Sequence, residues 1–277
     1  MDTKNVIAAI SLSAAVIILY SLFFAPSPNE LKKIDEPKSS LSSEAPKLEE
    51  SEKIVELSRD KALKESNRVE FENQNIKGSI SLMGGTIDDL IFKNYTETLD
   101  GKNKITLLNP KKYSEGYFVE TGWVSSSKNI DLPSSNTSWK VEGNNKLTPG
   151  NPVTLVWNNN QGISFKKKIK IDEKFLFSID QIITNQSEKS YDFYAYGQII
   201  RNKSPEVTNF YILHEGLIAT LDDELIEEDY DDIQDKKFTK TAQKGWLGIG
   251  DKYWITSLIP PSEREFKTTF DYKKKFR

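Results

Sequence analysis

The sequence predicts a mainly β fold, one large antiparallel β-sandwich preceded by a single transmembrane helix, and three observations carry that expectation. Residues 6–24 read VIAAISLSAAVIILYSLFF, 19 positions without a charge. From about Arg68 onward, apolar residues recur at every second position. Clusters of Asn, Gly and Pro cut those runs into short segments with few helical stretches between them, which indicates strands that each bury one face.

Taken in order, residues 1–5 form a short N-terminal stretch on the inner side of a membrane. Val6 to Phe24 is long enough to cross a hydrocarbon core of roughly 30 Å and is read as an anchor in the lipid bilayer. A cleaved signal peptide is the alternative, but its apolar region is about 7–15 residues long and ends at a small-x-small site. Here Phe23 occupies a position that needs a small residue, and Pro26 follows Ala25. Lys4 precedes the span while Lys32, Lys33 and Lys38 follow it, which opposes the positive-inside bias. Long domains translocate largely regardless of charge, so the N-terminus is placed inside and the large domain outside.

Residues 25–67 are rich in Pro, Ser, Glu and Lys and read as a mobile polar tether. Lys47 to Lys64 could form a short helix through Ile54, Leu57 and Leu63, but a disordered state is expected there. Residues 68–277 form the sandwich. In the clearest strand, Ile163, Phe165, Ile169 and Ile171 share one face, and Ser164, Lys166, Lys168 and Lys170 take the other. The same alternation runs through Ile76, Gly78, Ile80 and Leu82, through Phe175, Phe177 and Ile179, and through Phe193, Ala195 and Gly197 with Tyr194 and Tyr196 opposite. Asn109-Pro110, Pro149-Gly150-Asn151-Pro152 and Asn158 to Gly162 are the turns.

Composition excludes several functions. With 38 basic and 41 acidic side chains the formal charge is −3, no global field for a nucleic acid. The chain has no cysteine, so disulfides and thiolate metal sites are ruled out. Each candidate for chemistry has a plainer explanation. His214, the one histidine, adjoins Glu215, but neighbours on a strand point to opposite faces, so a structural histidine is expected. The run of Asp222, Asp223, Glu224, Glu227, Glu228, Asp229, Asp231, Asp232 and Asp235 fits no calcium-loop register and reads as a solvated loop or helix face, with partner contact as the functional rival.

Gly245, Gly248 and Gly250 precede β-prone Tyr253, Trp254 and Ile255, so close backbone approach or a bulge is expected rather than a phosphate loop. Gly84-Gly85 reads as a tight turn between strands. Trp123, Trp139, Trp157, Trp246 and Trp254 could build a sugar-stacking platform, but core packing is the expectation. Asn94-Tyr95-Thr96 is a chance sequon. No catalytic, cofactor-binding or metal-binding residue is assigned, and no enzyme activity is expected.

Several segments resemble a known family. IKGSISLMGGTIDDLIFKNY at 76–95 is similar to the opening strands of the periplasmic domain of the bacterial membrane protein insertase YidC, in the Gram-negative type of the YidC/Oxa1/Alb3 family. The stretch from Pro152 through NPVTLVWNNNQGISFKKKIKIDEKFLFSIDQIITNQS resembles that domain's long paired strands. HEGLIATLDDELIEEDYDDI and the closing GWLGIGDKYWITSLIP extend the likeness in the same order. The resemblance implies a periplasmic β-super-sandwich at 68–277, an inner-membrane location and an insertase and chaperone function. It implies nascent membrane proteins and Sec translocase components as partners. It also implies five further helices carrying a hydrophilic groove, no residue of which can be placed on this sequence. The chain is therefore read as the anchor and periplasmic part of such a protein. The competing reading is a membrane-anchored carbohydrate-binding or mutarotase-like sandwich.

Overall fold

A computed structural model describes residues 56–205, 214–262 and 264–273. The expected anchor at Val6–Phe24 and the tether up to position 55 lie outside the described residues. No helix among the described residues is long and apolar enough to cross a membrane.

After a short helix, α1 (Arg59–Leu63), the chain forms β1 (Arg68–Glu72), β2 (Ile76–Ser81), β3 (Thr86–Thr96), β4 (Lys104–Leu108), β5 (Tyr117–Ser125), β6 (Lys140–Glu142) and β7 (Lys146–Leu147). It continues through β8 (Val153–Asn158), β9 (Ile163–Ile171), β10 (Phe177–Asn185), β11 (Phe193–Arg201), β12 (Gly216–Leu221) and β13 (Glu224–Asp229). After α2 (Asp232–Asp235) come β14 (Phe238–Ala242), β15 (Gly245–Gly250), β16 (Ile255–Leu258) and β17 (Phe266–Phe270). All described residues fall in one unit of the chain.

The largest sheet runs β11-β5-β3-β2-β1-β7, with β4 also on β3, and a second runs β10-β9-β8-β6. Their facing side chains make the core. Phe71 of β1 meets Phe177 of β10 edge to face at 5.1 Å, and Phe165 of β9 packs on Trp123 of β5 at 5.2 Å and on Phe193 of β11 at 5.7 Å. Leu147, Leu155 and Phe165 are fully enclosed, and burying each such side chain contributes about 1.5–3 kcal/mol. A third sheet, β13-β12-β15-β16, packs against the first, with Trp254 stacked on Phe92 at 4.2 Å, and β14 pairs with β17 alone. Pairing is antiparallel except where β1 meets β7 in parallel.

The predicted β-sandwich is therefore observed, with differences at particular elements. Ordered structure begins ahead of Arg68. α1 lies inside the segment expected to be disordered, because Leu57 donates its amide to Lys112 O and Arg59 pairs with Asp89. Phe175 does not join the inner face of β10; it sits in the β9–β10 turn, half exposed. The acidic run is not a loop or a helix face throughout, since Glu224–Asp229 form a strand antiparallel to β12. Asp222 and Asp223, both at positive φ, close that hairpin as Asp readily does, and Ile226 supplies its buried side.

Candidate functional site

Between the two large sheets lies a group of buried charged and polar side chains. β9 buries its odd positions, and Lys167 is one of them, between Phe165 and Ile169 and fully enclosed. An ammonium taken out of water needs partners. Lys167 Nζ donates to Thr121 O at 2.6 Å, Gly84 O at 3.2 Å and Gly85 O at 3.3 Å, and it lies 4.9 Å from the centre of a Trp139 ring. The Gly84-Gly85 turn brings those carbonyls in. Both residues have positive φ, and a Cβ on Gly85 would come within 3.1 Å of the ammonium. Burial pushes the Lys167 pKa down to about 8, against the opposing pull of Glu120.

Glu120 of β5 is itself buried. It accepts hydrogen bonds from Tyr196 Oη at 2.8 Å and Gln198 Nε2 at 3.2 Å, across the pairing of β5 with β11. Burial, and next the Glu120 charge, raise the Tyr196 pKa. Gln181, opposite Lys167 on β10, donates to Gly122 O at 2.6 Å. Lys167, Glu120 and Tyr196 face a space with no room for a water-sized molecule. Their chemistry is positional: Lys167 and Gln181 tie β9 and β10 of the second sheet to the β5 backbone of the first, and Glu120 ties β5 to β11 within the first.

A second charged group ties α1 to the first sheet. A bulge between Ser79 and Ile80 lets β3 present consecutive buried carboxylates, Asp88 and Asp89. Arg68 pairs with Asp88, and Arg59 with Asp89 and with Asn109 Oδ1 at 2.8 Å. Ser79 Oγ donates to Asp89 and accepts from Arg68 Nε, both at 2.7 Å. Burial raises the Asp88 pKa, and Arg68 works against it. Arg201, at the end of β11, pairs with Asp251 at 2.6 Å, donates to Tyr230 Oη at 3.3 Å and covers the Tyr117 ring, which joins the third sheet to the first.

The residues singled out from sequence are dispersed over these sheets. His214 faces Leu217 O at 3.0 Å and Asp229 at 3.4 Å, while Glu215 is buried. Gly245, Gly248 and Gly250 all lie within β15. Trp123 and Trp139 are buried beside Phe165 and Lys167, Trp157 packs on Phe165, and Trp254 lies elsewhere, on Phe92. No cluster of His, Cys, Asp or Glu suited to a metal ion occurs among the described residues. An open groove of about 310 Å³ runs between the α1–β1 connection and Leu82, Met83, Ser138 and Trp139; its charged lining residues, Lys64 and Glu65, are neighbours in sequence, and Glu65 pairs with Lys112 at its surface. Sequence reasoning missed Lys167, Glu120 and the arginine–aspartate pairs. For Lys167 a signal existed, the parity it shares with Ile163, Phe165, Ile169 and Ile171.

Comparison with known proteins gives a consistent result. The family model for the YidC periplasmic domain matches residues 68–277. A membrane protein insertase YidC from Pelagibacter ubique is 59% identical over 279 residues, covering 100% of this chain and 50% of that protein. The protein of the same name from Brucella melitensis is 41% identical over 221 residues, 78% of this chain and 36% of that one. The one from Rickettsia prowazekii is 37% identical over 277 residues, 98% and 49% respectively. The chain thus spans about half the length of the curated relatives it matches, or less. These matches do not favour the carbohydrate-binding or mutarotase-like alternative.

Proposed function

The chain belongs to the YidC family of membrane protein insertases, and from that membership we propose that it supplies the membrane anchor and the periplasmic domain of an insertase that assists integral membrane proteins to insert and fold, alone or with Sec translocase components. On this reading Val6–Phe24 spans the bacterial inner membrane with residues 1–5 in the cytoplasm, residues 25–67 link the span to the domain, and residues 68–277 lie in the periplasm. The observation that carries it is the match of the whole chain to a named insertase at 59% identity.

The fold supports a mechanical rather than a chemical role. The buried ionisable groups are held by backbone carbonyls and by one another, which suits a rigid module that positions partners. Insertion itself needs a polar concavity within the membrane; one span with Ser11, Ser13 and Ser21 as its small polar groups does not provide one. Nascent membrane proteins are the substrates this assigns to the whole protein.

The test is reconstitution of the complete gene product in vesicles with a small single-span client. Protease-protected client should appear only when the product is present. Equal protection in vesicles without it would sink the reading.

A further inference from the structure

One end of the sandwich carries an unusual concentration of exposed aromatic and aliphatic side chains. Three chain segments converge there. β3 runs out through Tyr95 into a turn whose tip, Leu99, is fully exposed. The β9–β10 turn presents Phe175 and Leu176, each about half exposed, and the β15–β16 turn presents Tyr253, which is 72% exposed, beside Trp254. Phe92 gathers them from beneath, with ring centroids 5.8 Å from Tyr95, 6.0 Å from Phe175 and 4.2 Å from Trp254.

This exposure is built. Asn73, buried in the β1–β2 turn, donates to Asp172 O at 2.8 Å and Lys174 O at 2.9 Å, and it accepts from the amides of Asn75 and Ile76. Asn75 Nδ2 donates to Glu173 O, and the Asp172 carboxylate accepts from the amides of Lys174 and Leu176. These bonds hold the turn so that Phe175 and Leu176 stay outside, although burial would otherwise favour both by about 1.5–3 kcal/mol each. Exposed apolar side chains gathered around one ring cluster, Phe92, Tyr95, Phe175 and Trp254, mark an interaction site.

We propose that this tip docks on the surface of the lipid bilayer, with Tyr95, Leu99, Phe175, Leu176, Tyr253 and Trp254 entering the interfacial zone. Tyr and Trp are the side chains enriched at that depth, where one end of the ring is apolar and the other wet. Lys252, with its ammonium 5.2 Å from the centre of the Tyr253 ring, puts a cation beside that ring. The proposal rests on the anchored reading of Val6–Phe24. Only 31 residues separate that span from position 56, and on the tether reading drawn from their composition a chain of that length averages about 30 Å end to end. A bilayer so close acts at high effective concentration, so a shallow contact that would be too weak for a free domain becomes occupied. Acidic Glu97, Asp100, Asp172 and Glu173 balance the nearby lysines, so apolar burial drives the contact and salt should not break it.

The chain has no cysteine, so single thiols can be introduced cleanly. The full chain is reconstituted in phosphatidylcholine vesicles containing a headgroup nitroxide lipid, with a fluorophore on Glu173→Cys or, as control, on Leu225→Cys, an exposed position on β13. Quenching should be several-fold greater at 173 than at 225, should persist at high salt, and should lose that excess when Tyr95→Ser and Tyr253→Ser are added. Equal quenching at both positions in a chain that floats with the vesicles overturns the docking alone. A chain that does not float removes the anchor reading and the docking with it. Disulfide formation between two copies through position 173, without nitroxide quenching, makes the patch an interface between copies and also overturns the proposal.

Discussion

Lys167 bears most clearly on how this sandwich is held together. Its ammonium is enclosed between sheets and satisfied by the carbonyls of Thr121, Gly84 and Gly85. Because burial lowers its pKa from 10.5 to about 8, the unfolded chain binds more protons than the folded one between those values, and stability rises with pH across that window. At about 1.4 kcal/mol per pKa unit, wild type should gain at most about 3 kcal/mol relative to Lys167→Met between pH 7 and pH 10. Urea midpoints of both proteins at the two pH values measure this, and a constant gap would show that Lys167 is not held as described. At the arginine–aspartate pairs the expectation is a loss. Arg68→Met leaves Asp88 buried without its cation and should cost about 3–5 kcal/mol, whereas Arg59→Met, removing a more exposed partner, should cost clearly less. Denaturant titration of both variants checks the order. None of these pairs was legible in the sequence, since Asp88 and Asp89 share one side of the network only through a bulge that alternation does not reveal. Lys167 was legible in parity but hidden among Lys166 and Lys168, whose side chains point out.

At the scale of the element, period two found β9 and β2 and located the Gly84-Gly85 and Asn158–Gly162 turns. It failed where a polar pattern conceals a strand or an apolar one leaves it. β13 escaped because four of its six residues are carboxylates, Leu225 faces out and a single residue, Ile226, is buried. Phe175 was misplaced because the turn held by Asn73 takes it out of β10. Asn73→Ala removes the four hydrogen bonds made by a buried side chain and should cost about 2–4 kcal/mol. It should also open the bonds near Phe175 to limited proteolysis before the rest of the domain; uniform resistance there would mean that Asn73 does not hold the turn. The reading of Gly245 as a close-approach glycine can be tested in the same way. At φ +136° a Cβ would lie 1.9 Å from Thr220 O, so Gly245→Ala should lower stability by about 3 kcal/mol or more. A midpoint within error of wild type would contradict the pairing of β15 with β12 described here.

For the whole molecule, family membership and β architecture were both readable from the sequence, the first from segments in order and the second from alternation. What a single sequence leaves out is how three sheets meet, because those contacts depend on side chains far apart in the chain, such as Arg201 with Asp251 or Phe92 with Trp254. The central claim is that an inner-membrane anchor holds this domain on the periplasmic side for an insertase. The most direct measurement is thiol accessibility in intact Gram-negative cells carrying the complete gene product with Leu225→Cys as its only thiol. A maleimide too polar to cross the inner membrane should label position 225 fully in intact cells whose outer membrane has been permeabilised. Labelling that appears only after the inner membrane is broken would place the domain in the cytoplasm and contradict the account.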